Sequence, residues 1–205
     1  MRRRALVHLQ RADPVMRRVI SLVGPCRFTV YHEGTEFNHL ARSIIYQQLS
    51  GSAAATIYGR VLALTGAPQL APQPLLALTD AQLRAAGLSR QKTAYLRDLA
   101  EHAHSGRLPV ERLAGLPDDE IHGLLQQVNG IGVWTVQMFL MFRLGRPDIL
   151  PVSDLGVRKG VQTAYRLRAL PAPRRVERIG ACWAPFRTIA SWYLWRLLDV
   201  KAARA

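Results

Sequence analysis

The 205-residue sequence is poor in cysteine, in acidic side chains and in long apolar runs. Its two cysteines, Cys26 and Cys182, form no C-x-x-C pair. A disulfide framework is therefore unsupported, and a cysteine-ligated iron–sulfur cluster or structural zinc is excluded. No window approaches the roughly 18 unbroken apolar residues of a membrane span. The basic start Met1-Arg2-Arg3-Arg4 leads into an apolar stretch broken by His8, Gln10, Arg11 and Asp13, which is no signal-peptide core. The expectation is a cytoplasmic protein without a membrane partner. The histidines His8, His32, His39, His102, His104 and His122 are scattered, and no H-x-x-x-H or H-E-x-x-H spacing occurs. No G-x-x-x-x-G-K-[ST] is present either. These gaps weigh against a metal hydrolase and a P-loop nucleotide hydrolase.

What is abundant is positive charge and apolar helix-forming sequence. Apolar residues make up 49% of the chain, enough for a packed core. Lys and Arg number 28 against 14 Asp and Glu, a formal net charge of +14. Such an excess favours polyanionic partners, nucleic acid above all, although a solvated basic surface or a membrane surface would show it too. Phe37, Leu40, Ala41, Ile44 and Ile45 follow the helical period, and Leu49 extends their apolar side. Leu96, Leu99, Ala100 and Ala103 repeat it, with Ser89 as the expected N-cap and Gly106 as the stop. Ile121, Leu124, Leu125 and Val128 do so again after Pro117-Asp118-Asp119. A last helical run covers Phe186 to Leu198, while 66–74 and 170–175 read as connectors. Alternation suited to a strand is confined to Arg27–Tyr31. The fold class is all-α.

Between two of these helices lies Gly130-Ile131-Gly132. Glycine accepts φ > 0 and has no Cβ, so the two helices can meet in a tight turn. The second helix then presents free N–H groups and its positive dipole end, which suit a phosphate without reading sequence. A plain helical hairpin has the same pattern. After the second helix a proline-bounded loop delivers one acid, Asp154, just before another helix begins near Leu155. Asp is a favoured helix cap, so capping is one reading of it.

The string V-N-G-I-G-V-W-T, followed by P-x-S-D-L-G-V-R, resembles the helix-hairpin-helix superfamily of base-excision DNA glycosylases, and within it the 3-methyladenine DNA glycosylase II group. The segment R-S-I-I-Y-Q-Q-L-S from Arg42 to Ser50 resembles an earlier helix of that family, and the run with Trp192 and Trp195 resembles its end. The likeness covers about Phe37 to Leu198. It implies a single unit over 1–205, with two helical lobes around a DNA-binding cleft and residues 1–36 as a short N-terminal extension or remnant of a further domain.

The resemblance also implies roles. Asp154 corresponds to the catalytic carboxylate, an anion that stabilises the positive charge developing on deoxyribose as an N-glycosidic bond breaks. Trp134 and Trp195 correspond to base-pocket positions, where aromatic faces suit a cationic alkylated base; plain core packing is the competing reading, and it is preferred for Trp183 and Trp192. Gln48 corresponds to the intercalating position, where related enzymes carry leucine, and is expected on a helix. Gly130, Ile131 and Gly132 would bind the DNA backbone together with Arg158 and Lys159, with Arg42 and Arg187 as further phosphate contacts. Backbone carbonyls of Gln126, Val128 and Ile131 would hold a monovalent or hard cation. No cofactor is required, and no iron–sulfur cluster is expected. The implied partner is double-stranded DNA with alkylated bases, met by a monomer. Bifunctional relatives carry lysine two residues after the second hairpin glycine; Trp134 stands there, which implies hydrolysis without strand cleavage. Leu155 follows Asp154 where the classical enzyme has an aromatic, which leaves the lesion range open. The alternative is a helix-hairpin-helix module that binds DNA and does no chemistry.

Overall fold

A computed structural model describes residues 2–202. Among these residues twelve α-helices follow one another: α1 (Arg2–Ala12), α2 (Pro14–Val23), α3 (Glu36–Tyr46), α4 (Gly51–Thr65), α5 (Pro72–Leu76) and α6 (Asp80–Ala85), then α7 (Arg90–His104), α8 (Asp118–Leu125), α9 (Val133–Phe142), α10 (Leu155–Ala164), α11 (Pro173–Gly180) and α12 (Arg187–Ala202). Short 3₁₀ turns occupy Val110–Gly115 and Ala181–Trp183. No strand occurs among the described residues, and Arg27–Tyr31 is extended chain without a sheet partner. Among those residues no helix is long and apolar enough to cross a membrane. Cys26 and Cys182 are both free.

The chain forms two compact units. One comprises residues 1–30 and 140–205; the other is residues 31–139. The second unit is built around α7, which packs on α3, α5 and α6. Its Leu96, Leu99 and Ala100 are fully buried, as are Leu40, Ala41, Ile44 and Ile45 of α3. Local chemistry sets the helix ends. Thr35, Ser50, Thr79 and Ser89 each cap a helix N-terminus by accepting a backbone N–H, which satisfies one of the orphan donors there. The connectors expected at 66–74 and 170–175 are shorter than their composition suggests. Pro72 and Pro173 stand in the first turns of α5 and α11, where proline's fixed φ is an asset.

The first unit is built around α12, which packs on α2, α10 and α1. Helices α1 and α2, expected as an N-terminal extension or remnant, belong to this unit's core. Leu9 of α1 and Met16 of α2 are fully buried in one cluster with Trp183, Tyr193 and Leu194. Asp13, only 5% exposed, caps α2 and accepts from Trp183 Nε1 at 2.8 Å and from the Tyr165 hydroxyl. Its burial is tolerable because several donors surround the carboxylate. Residues from the two ends of the chain thus form one core. On α10, Gly160 lets α12 come close, for a Cβ there would lie 2.7 Å from the Leu194 carbonyl oxygen.

Candidate functional site

The residues singled out in the sequence fall into two groups, one in each unit. In the unit of residues 31–139 the hairpin joins α8 to α9. Gly130 has φ +85°, and a Cβ on it would lie 2.1 Å from the Tyr95 ring. Both backbone conformation and close packing therefore require glycine. Gly132 differs: its φ is ordinary, and nothing lies within 4 Å of where a Cβ would be. Gly132, Val133 and Trp134 are all exposed, so the N-terminus of α9 opens to solvent. Gly132's carbonyl accepts the N–H of Val136, and the N–H groups of the first turn point outward from the helix start. Ile131 is buried and holds the turn through its N–H to the Val128 carbonyl at 3.1 Å.

Helix α7 supports this turn. Tyr95 packs beneath Gly130, and Asp98 accepts the Asn129 N–H at 2.7 Å. Lys92 donates to the carbonyls of Ile45 at 2.7 Å and Gln47 at 2.6 Å, at the end of α3. Gln47 in turn donates its side-chain amide to the Gly130 carbonyl at 2.9 Å. The loop after α3 is thus tied to the hairpin.

That loop corrects the expectation for Gln48. Helix α3 stops at Tyr46, and Gln48 stands beyond it with φ +56°, a left-handed conformation that non-glycine residues seldom adopt. Its side chain is exposed, as is Leu49 beside it. Gln48 and Trp134 line one concavity of about 480 Å³ together with Ser43, Tyr46, Gln47, Thr135 and Met138. Arg42 lies over the Tyr46 ring, 4.6 Å from its centre, and is exposed.

The other unit carries Asp154. A loop from 143 to 153 is pinned to the start of α12. Thr188 accepts the Ile149 N–H at 3.0 Å and donates to the Arg146 carbonyl at 2.7 Å. Asp148 receives both Nε and Nη2 of Arg187, at 2.7 and 2.9 Å. Burial pushes the Asp148 carboxyl up, but the Arg187 hydrogen bonds and charge outweigh it and hold the group below its ordinary value. Arg187, expected at a phosphate, is engaged in a bidentate pair with Asp148.

At the end of this loop Asp154 caps α10, accepting the Val157 N–H at 2.7 Å on Oδ1. The same oxygen accepts Trp195 Nε1 at 2.8 Å. Trp195 is itself oriented by stacking on Phe142, with ring centres 6.0 Å apart. Gly156 completes the arrangement, because a Cβ there would lie 2.7 Å from Trp195 Cδ1 and 3.0 Å from Asp154 Oδ1. The capping reading of Asp154 is true of the geometry. A half-buried carboxylate fixed by two donors at a helix N-terminus is also an anion of set position. Arg158 directs its Nε to the Pro171 carbonyl at 2.9 Å, while Lys159 is exposed. Trp183 and Trp192 are buried in the core.

A family profile described as "HhH-GPD superfamily base excision DNA repair protein" matches residues 41–185. The chain belongs to this superfamily. It is 35% identical over 196 residues to DNA-3-methyladenine glycosylase 1 of Schizosaccharomyces pombe, covering 94% of this chain and 86% of that protein. The structure of the S. pombe 3-methyladenine DNA glycosylase in complex with abasic DNA superimposes with a TM-score of 0.81 at 34% identity, over 94% of this chain and 95% of that one. The structure of a DNA-3-methyladenine glycosidase from Bacillus halodurans gives a TM-score of 0.87 at 34% identity, over 97% and 91%.

Several residues that build the site in this superfamily member were not legible beforehand. Lys92, Tyr95 and Asp98 sit on one helix far from the hairpin in sequence, and only their repeated spacing of three hints at shared work. Thr188 gives no signal at all. Gly156, two residues after Asp154, was the most readable, since glycine in a helix interior is costly without a packing reason. Among the described residues no group of three His, Cys, Asp or Glu side chains is arranged for a metal.

Proposed function

We propose that this chain removes alkylated bases of the 3-methyladenine and 7-methylguanine type from double-stranded DNA. It would act as a monomer, hydrolyse the N-glycosidic bond and leave an abasic site. The observation that carries this reading is the fixed carboxylate of Asp154, held by Val157 and Trp195. An alkylated base already bears positive charge. It departs with the bonding electron pair as a neutral molecule, so no general acid is needed. The deoxyribose gains cationic character in the transition state, and Asp154 supplies the opposing charge beside it. Water adds to C1′ and loses its proton, which Asp154 is suited to accept. Trp134 stands where a bifunctional relative has lysine, so no amine is there to form a covalent imine and no strand cleavage follows. The target nucleotide must leave the stack to be reached. Gln48, exposed in its left-handed loop, is assigned to fill the gap it leaves.

The hairpin is assigned to the sugar-phosphate backbone through Gly130, Ile131, Gly132 and the open start of α9, with Lys159 as a charged contact and Arg158 contributing the guanidinium nitrogens not turned to Pro171. The carbonyls of Gln126, Val128 and Ile131 are assigned to a monovalent or hard cation. Val128 already accepts one N–H, but a carbonyl has two lone pairs. A cation there would neutralise phosphate charge. Asp154→Asn is the deciding experiment. Release of free base from methylated duplex DNA is expected to fall on the order of a hundredfold, with duplex affinity retained. Turnover at the wild-type rate would remove Asp154 from its role, and strand nicking before alkali treatment would remove the monofunctional assignment.

A further inference from the structure

The basic excess is not shared between the units. Residues 1–30 and 140–205 hold twenty Lys and Arg against five Asp and Glu, a formal +15. Residues 31–139 hold eight against nine, a formal −1. The hairpin lies in the nearly neutral unit, so it can offer backbone N–H groups but little net attraction. Long-range pull on a polyanion belongs to the other unit.

Only a few of those twenty cations stand near Asp154 in sequence. Helices α1 and α2 add Arg2, Arg3, Arg4, Arg11, Arg17 and Arg18, and the one acid among them is Asp13. Asp13 is buried and turned to Trp183 and Tyr165, so it does not balance the surface. Arg3, Arg4, Val7, His8 and Arg11 line one shallow concavity along α1. Their spacing puts them on a single helical face. Three arginines in the first turn also oppose the helix dipole, an unfavourable placement. Stability alone would favour acids there. Helix α11 adds exposed Arg174, Arg175 and Arg178, with one exposed acid, Glu177, among them. Both helices pack against the 3₁₀ turn at Ala181–Trp183.

We infer that the arginine face of α1 is a second polyanion-binding surface, which holds duplex phosphates apart from the residues that handle the base. This rests on the reading of DNA as substrate. A protein partner fits less well: Val7 is the only large exposed apolar side chain on that face among the described residues, and protein docking surfaces centre on buried apolar or aromatic anchors. The surface would keep the enzyme on undamaged DNA between lesions.

The test is the variant Arg3→Gln/Arg4→Gln/Arg11→Gln, with its fold checked by circular dichroism. Affinity for an undamaged duplex is measured over a range of salt concentrations. Three lost phosphate contacts should lower the slope of log K against log salt by about 2–3, at about 0.9 per phosphate. Single-turnover base release from a short methylated duplex at saturating protein should stay at the wild-type rate. If the triple variant does not fold, Arg11→Gln alone should lower the slope by about 0.9. An unchanged slope in a folded variant overturns the inference. Loss of binding to an acidic peptide with the DNA slope unchanged overturns it in favour of a protein partner. Because the duplex is undamaged, the slope decides the surface even if the protein released no base, which would refute the enzymatic reading separately.

Discussion

The two hairpin glycines look interchangeable in the sequence and should respond differently to alanine. At Gly130 an alanine would have to hold φ +85°, a left-handed conformation costing an L-residue about 1–2 kcal/mol. Its methyl would also lie 2.1–2.6 Å from three atoms of the Tyr95 ring, so the ring must move. Overpacking of this kind costs about 1–3 kcal/mol. The sum is about 2–5 kcal/mol, which for a chain of this size lowers Tm by roughly 5–15 °C. At Gly132 the φ is ordinary and the space is open, so stability should change by less than about 1 kcal/mol. That open space is where a phosphate would approach the N–H groups of α9. Gly132→Ala should therefore weaken duplex binding about tenfold, roughly 1.4 kcal/mol, with Tm nearly unchanged. Thermal melting and fluorescence anisotropy with an undamaged duplex measure the two effects. Adding Tyr95→Ala to Gly130→Ala should recover the packing part of the loss and leave the φ part, a non-additivity that a double-mutant cycle reads directly. Gly130→Ala melting within 2 °C of wild type would refute the steric argument. Gly132→Ala binding DNA as wild type does would refute the phosphate seat.

Three further outcomes are expected. Trp195→Phe keeps the ring on Phe142 but removes the N–H donated to Asp154; base release should slow about tenfold or more, in line with about 1.5–3 kcal/mol for a hydrogen bond to a charged group, and an unchanged rate would show that Trp195 does not position the carboxylate. Lys92→Met strips two carbonyls of their donor at the end of α3, so the loop bearing Gln48 should exchange its amide hydrogens faster and base release should fall more than duplex affinity; equal loss of both would count against a role in the loop. The Asp148 carboxyl has a folded-state value below its ordinary 3.8, so its pairing with Arg187 stabilises the protein above that pH and is lost as pH falls through the lower folded value. Unfolding by urea from pH 6 down to 3 should show this acid loss in the wild type and less of it in Asp148→Asn; identical profiles would deny the ion pair any share.

The helices of this chain were written locally. Apolar spacing, the cap Ser89 and the proline before α8 depend only on neighbours a few residues away, so a reader of the sequence could place α3, α7 and α8 closely. The glycine turn and the lone acid before α10 were legible for the same reason, since each is a short motif with a backbone consequence. Long-range partners were not. The carbonyls at the end of α3, just before Gln48, are satisfied by Lys92, some 45 residues later. Residues 2–23 are core and not appendage because α12 supplies the surface that buries them. Arg187 is paired with Asp148 across the loop. Net charge was plain from composition, yet its concentration in one unit emerged only when the chain was folded into units. Periodicity and capping act within a helical turn and can be read in order along the chain. Hydrogen bonds and buried contacts between distant residues have no such order, and only the tertiary structure decides them.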